Sequence, residues 1–238
     1  MKVLSIECSA QPCSVAIMDD RKILASSFVN MKLTHSQTLL PMVENLLNAA
    51  SIPLSEIEGF AISAGPGSFT GVRIGISAIK GLAAPKNIPC VGVSTLLSMA
   101  ESFRDTDCII CAVMDARCNQ VYNALFEIKN GEITRLCDDR ALLCPELAKE
   151  ISELSQNTSS QIIITGDGTE VFYPYVKELS SIKKSDIQRR YQNAIGVGLA
   201  AMPHFVSGNT LSAEELLPVY LRLPQAEREL KQKTENQK

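Results

Sequence analysis

The feature that most constrains this chain is an order of elements that occurs twice. Alternating or apolar runs at 3–7, 13–18 and 22–29 predict three strands. A helix over 37–50, a strand over 58–64, the segment Gly65-Pro66-Gly67-Ser68-Phe69-Thr70-Gly71, a helix over 72–84 and a short strand over 89–93 follow. From residue 109 the order restarts. Strands are predicted at 109–114, 120–128 and 132–137, and a helix runs from Pro145 to about Leu154. A strand at 161–165, Gly166-Asp167-Gly168 and a helix over 192–206 complete the second round. Glu7 then parallels Asp115, Gly65–Gly67 parallels Gly166–Gly168, and helix 72–84 parallels helix 192–206. A generic α/β chain could show such an order by chance; the matching acid and glycine positions favour a duplicated α/β domain.

Composition narrows the function. Hydrophobic residues make up 45% of the 238 and charged residues 21%, which excludes a wholly disordered chain. With 23 basic and 26 acidic side chains the net charge is -3, so nothing draws the chain to nucleic acid as a whole. Trp is absent and aromatics are 5%, leaving few platforms for stacking bases. No apolar run nears the ~18 residues of a membrane helix. Residues 1–7 read as a strand rather than a leader. The expectation is a cytoplasmic protein whose eight cysteines are reduced and mostly buried. The stretch 223–238 is almost wholly polar and is expected to be a tail.

The candidate motifs each carry a plainer alternative. The glycine segment lies between a strand and a helix, where unpaired N–H groups can receive an anion. Its G-x-G-x-x-x-G spacing is neither the dinucleotide fingerprint nor a P-loop. A tight turn with Ser68 or Thr70 capping the helix is the alternative. Cys108 and Cys111 have C-x-x-C spacing on a strand, where positions i and i+3 face opposite sides, so buried thiols explain them better than zinc. His35 and His204 lie in no catalytic motif. The basic pairs Lys183-Lys184 and Arg189-Arg190 read as solvated charge first and as an RNA contact second. The helices 37–50 and 72–84 have apolar arcs wider than one buried stripe. Either they lie inside one large core, or one side of each meets a partner; on the second reading Leu39, Met42, Leu46, Ile74, Gly75, Ala78, Ile79 and Leu82 form the interface.

Gly65-Pro66-Gly67-Ser68-Phe69-Thr70-Gly71-Val72-Arg73-Ile74-Gly75 with Ala78-Ile79-Lys80-Gly81-Leu82-Ala83 resembles the TsaB (YeaZ) family. So do Ile6-Glu7-Cys8-Ser9, Val91–Leu96, Met114-Asp115-Ala116-Arg117 with Val121-Tyr122, and Pro218-Val219-Tyr220-Leu221-Arg222, in order over about 1–222. The resemblance implies an actin-like (ASKHA) fold of two related subdomains, 1–103 and 104–222, each with three strands, helix, strand, helix. It implies a role in making threonylcarbamoyladenosine in tRNA, as dimer partner of a TsaD-like catalytic subunit and alongside a TsaE-like ATPase. The acidic, aromatic-poor composition then fits tRNA met indirectly, through the complex, and the same apolar helix surface, left bare, could pair with itself in a homodimer when the chain is alone. Where TsaD-like proteins carry a metal-binding His-x-x-x-His, this chain has Thr95 and Met99, and its first-strand acid is Glu7 rather than Asp. The expectation is therefore no catalytic residue, no metal ligand and no cofactor on the chain alone. ATP or ADP would enter in the complex, near Ser9, Gly65, Gly67 and Arg73. The alternatives are a nucleotide-hydrolysing or sugar-kinase-like enzyme of the same fold, and a glycoprotease-like peptidase.

Overall fold

The centre of the first half is set by strands that are apolar on both faces. In the computed structural model, which describes residues 1–222, β1 (Lys2–Glu7) is buried from its second residue onward. It pairs antiparallel with β2 (Cys13–Asp19) and parallel with β4 (Gly59–Gly65). The edges are β3 (Lys22–Val29) and β5 (Cys90–Ser94), giving the order β3-β2-β1-β4-β5. Alternation along β1 sends Leu4 and Ile6 to one face, where α1 (His35–Ala50) and α2 (Phe69–Ala83) cover them. Val3 and Ser5 point to the other face.

The second sheet repeats this plan. β6 (Cys108–Asp115) pairs antiparallel with β7 (Gln120–Lys129) and parallel with β10 (Ile162–Thr165), while β8 (Glu132–Arg135) and β11 (Ile182–Lys184) lie outside them. The order β8-β7-β6-β10-β11 is that of the first sheet, so the duplication expected of an actin-like fold is present in topology as well as in sequence. One strand is extra: β9 (Arg140–Leu143) pairs with β7. Helices α4 (Cys144–Asn157) and α5 (Thr169–Phe172) cover the face that carries Ile109, Cys111 and Val113. Helix α3 (Thr95–Ala100) covers the face that carries Ile110, Ala112 and Met114.

The last helix corrects the expected pairing. α6 (Ala194–Ser207) follows β11, so its counterpart is α3, which follows β5; the counterpart of α2 is the short α5 after β10. The three-residue β11, with Lys183 and Lys184 exposed, gave no periodicity to separate the two. α6 also crosses back to the first sheet. Its Val197 and Ala201 pack on Val3, Met18 and Val91, the Ser5 hydroxyl donates to the Ala194 carbonyl at 2.7 Å, and the Ala194 N–H donates to Ser14 Oγ at 2.7 Å. Residues 208–222 stay there: Leu211 bridges Cys90, Leu216 is buried, and the Val219 N–H donates to the Ala64 carbonyl at 2.7 Å. Thus 194–222, expected with the second subdomain, pack on the first sheet. The polar tail, 223–238, lies outside the described residues.

All eight cysteines are free; six are buried and only Cys118 is exposed. Burial pushes the thiols of Cys13, Cys90 and Cys108 up to about 11, which keeps them protonated and unreactive. Cys108 and Cys111 face opposite sides of β6, each in its own core. Among the described residues no helix is long and apolar enough to cross a membrane.

Candidate functional site

The equivalent turns of the two repeats face one another across a cleft of about 870 Å³. The β1–β2 turn brings Ser9, the β4–α2 turn brings Gly67, the β6–β7 turn brings Asp115 and Arg117, and the β10–α5 turn brings Asp167. Arg73, one helical turn into α2, also reaches it. Three of the four residues expected near a nucleotide, Ser9, Gly67 and Arg73, therefore line one cavity. Gly65 does not. It is buried at φ +130°, and a Cβ there would lie 2.2 Å from the Val219 carbonyl oxygen, so its role is to let the returning chain pass close.

The first repeat is stitched together at this end. The Ser68 N–H donates to the Ser9 carbonyl at 2.6 Å, and Ser68 Oγ caps α2 by accepting from the Gly71 N–H at 3.2 Å. Ser68, not Thr70, is thus the cap. Ser9 Oγ is buried with no hydrogen-bond partner. The two acids paired by the repeat have diverged. Glu7 is fully buried, and its carboxyl accepts from the Ser9 N–H at 2.6 Å and from the Ser63 hydroxyl. Burial raises its pKa, and its oxygens are turned into the turn rather than toward the cleft. Asp115 is half-buried at the rim, accepting from the Arg117 N–H at 2.8 Å and from its guanidinium at 3.2 Å.

Asp167 is the most perturbed group of the cleft. Burial pushes its pKa up to about 6, against the opposing hydrogen bond that Gln192 Nε2 donates at 2.7 Å. A folded-state pKa above the unfolded value means the folded chain holds this proton more tightly. The associated stability is full below about pH 4 and is lost as pH rises through about 6. Asp167→Asn keeps the acceptor for Gln192 and removes the charge. Its melting temperature is expected to exceed the parent's at about pH 7.5, by the equivalent of about 3 kcal/mol, and to match it near pH 4. Equal gains at both pH values would show that the Asp167 charge is not the cause.

A second concavity, about 610 Å³, runs between α1 and α2 and is lined by His35, Leu39, Leu40, Ile74 and Ala78, with Arg73 at its end. Here the expected interface needs correction. Leu39, Leu46, Gly75 and Ile79 point inward; Leu39 is 1% exposed, Ile79 0%, and a Cβ on Gly75 would lie 2.5 Å from Cys8 Sγ. The i, i+3, i+4, i+7 stripe of each helix belongs to the sheet. Only the flank of the arc is left outside: Met42, Ile74, Ala78 and Leu82 half-buried, and Leu40 49% exposed.

Other candidates resolve into structure. Lys184 and Arg190 share Glu170 and Arg189 pairs with Asp105, so three of the four cations are held in ion pairs within the fold, while Lys183 is exposed. His35 Nε2 lies 2.7 Å from the Ala10 carbonyl and His204 Nδ1 3.2 Å from Asn209 Nδ2, so neither imidazole addresses a hydroxyl or a thiol.

Residues 22–229 match the family model described as TsaD, tRNA N6-adenosine threonylcarbamoyltransferase. The chain is 34% identical to the tRNA threonylcarbamoyladenosine biosynthesis protein TsaB of Escherichia coli strain K12, over 93% of this chain and 95% of that one. The chain belongs to the TsaB family. Its identity to the TsaB of Bacillus subtilis strain 168 is 27%, over 95% and 96% of the two chains. The solved structure of YeaZ from Pseudomonas aeruginosa superposes with a TM-score of 0.76 at 28% identity, covering 92% of this chain and 99% of that one. In this TsaB-family chain Thr95 and Met99, the positions at which the resemblance leads one to look for histidines, are buried in α3. Met99 Sδ sits 3.0 Å from where a Cβ on Gly166 would be, filling the space beneath the β10–α5 turn. Among the described residues no three His, Cys, Asp or Glu side chains come together in a group able to hold a metal.

Proposed function

We propose that, within tRNA threonylcarbamoyladenosine biosynthesis, where TsaB-family membership puts it, this chain is the non-catalytic partner of a TsaD-like transferase. It docks through the outer flank of α1 and α2. The observation that carries this is Leu40, half exposed beside Ile74 and Ala78 in an apolar groove on helices whose inner faces are already satisfied by the sheet. An apolar groove of this kind, left bare, favours association, and alone the chain would pair with itself there. The TsaE-like ATPase joins the pair, and tRNA is met through the complex, consistent with a net charge of -3 and with Lys184 and Arg190 engaged by Glu170.

ATP or ADP belongs to the complex in this reading. The buried, unpartnered Ser9 Oγ beside the α2 N-terminus suits a phosphate oxygen, while Glu7, sealed under Ser9 and Ser63, does not suit a metal–phosphate complex. That argues against the hydrolase and sugar-kinase alternatives, and the positions of His35 and His204 argue against the peptidase. Sedimentation velocity of the chain mixed with the transferase subunit of the same organism tests the pairing. A discrete heterodimer is expected; two unmixed species would reject it.

A further inference from the structure

Arg73 is the one residue that lines both the cleft and the α1–α2 groove. Its position is held by the returning chain. Phe69 and Tyr220 stack with centroids 4.0 Å apart and planes 6° apart, and the Arg73 guanidinium carbon is 5.4 Å from each centroid. Equal distances place it beside the pair rather than over one face. Its Nε donates to the Tyr220 hydroxyl at 2.6 Å, which fixes the plane of the guanidinium. Nη1 and Nη2 have no hydrogen-bond partner among the described residues, and Arg73 forms no ion pair among them. The side chain is exposed, so the arrangement is an ordered cation facing solvent.

The surroundings say what it would meet. The groove is otherwise lined by apolar and uncharged groups, and Arg73 is its only charged residue apart from the titratable His35. α2 carries Arg73 and Lys80 and no acid, on a chain that is acidic overall. A pre-ordered guanidinium offers two parallel donors, the fork that a carboxylate matches. Resting on the docking reading above, we propose that Arg73 is the specificity-determining contact of the groove. It pairs bidentately with a carboxylate that the transferase subunit presents beside the apolar side chain seated against Leu40 and Ile74. An apolar anchor gives affinity, and the charge at its rim selects the partner.

The test is calorimetry of the full chain with that subunit in nucleotide-free buffer, from about 50 to about 300 mM salt. Arg73→Met is expected to weaken pairing at low salt by about tenfold or more and to flatten its salt dependence, with Arg73→Lys recovering part of the loss. Charge reversal at the cognate partner carboxylate should rescue Arg73→Glu. Circular dichroism and melting curves report whether the variants keep the fold. If Arg73→Met pairs within about twofold of the parent while Leu40→Asp does not pair, the carboxylate contact is wrong and the docking reading stands. A deficit that appears only when ATP is added overturns it too, by assigning Arg73 to the nucleotide. If Leu40→Asp itself pairs normally, the docking reading falls, and this inference with it.

Discussion

Leu40→Asp is expected to abolish pairing with the transferase subunit while leaving the monomer folded. Leu40 is 49% exposed, so a carboxylate there stays hydrated in the free chain. In the complex it would be buried in the apolar groove without a partner, a cost of at least about 2 kcal/mol, or about thirtyfold in affinity. Sedimentation velocity reads the loss, and an unchanged circular dichroism spectrum assigns it to the surface. Gly75→Leu, which tests the same helix on its inner side, should fail differently. Its side chain would enter the space held by Cys8 Sγ and Ile62 Cδ1, and the chain itself would lose stability.

The largest effect on stability is expected at the repeated glycines. Gly166 has φ +111°, and a Cβ there would lie 1.9 Å from the Val113 carbonyl of the central strand β6. Gly65, its counterpart, has φ +130° and faces the Val219 carbonyl at 2.2 Å. In both places the obstacle is backbone, which cannot rotate away. Gly166→Ala or Gly65→Ala should each cost about 3 kcal/mol or more, a fall of about 10 °C in Tm if the chain folds at all. Gly81→Ala is the control. It lies in α2 with nothing within 4 Å of its Cβ, and should be neutral or slightly stabilising. Melting curves of the three variants decide, and a Gly166→Ala protein as stable as Gly81→Ala would contradict the geometry.

Much of the fold was legible because its central strands are buried on both faces. β1, β4 and β6 appear as short apolar runs, and each ends at the acid or glycine that marks the repeat. What could not be read was short. β9, β11, α3 and α5 have three to six residues each, too few to show a period, and the missing β11 misassigned α6. The site was legible in part for a related reason. The glycine segment pointed to Ser9, Gly67 and Arg73, since a strand-to-helix turn leaves little choice of neighbours. Periodicity alone does not say which side of a wide apolar arc meets the sheet, so it does not separate Leu39, Leu46, Gly75 and Ile79, which face inward, from Leu40, which does not. The Tyr220 contact to Arg73 joins residues 147 apart and has no local signature. Glu7 shows a further limit: an acid at a strand end reads as a ligand, yet here one local hydrogen bond from Ser9, one from Ser63 on the neighbouring strand and burial hold it inside.

The most direct test of the partner role is threonylcarbamoyl transfer to tRNA, reconstituted from the transferase subunit and the ATPase with and without this chain. The account predicts no transfer by the chain alone, little by the other components without it, and full transfer when it is added. Leu40→Asp should fail to restore it. Transfer at the full rate without the chain, or transfer by the chain alone, would contradict the account.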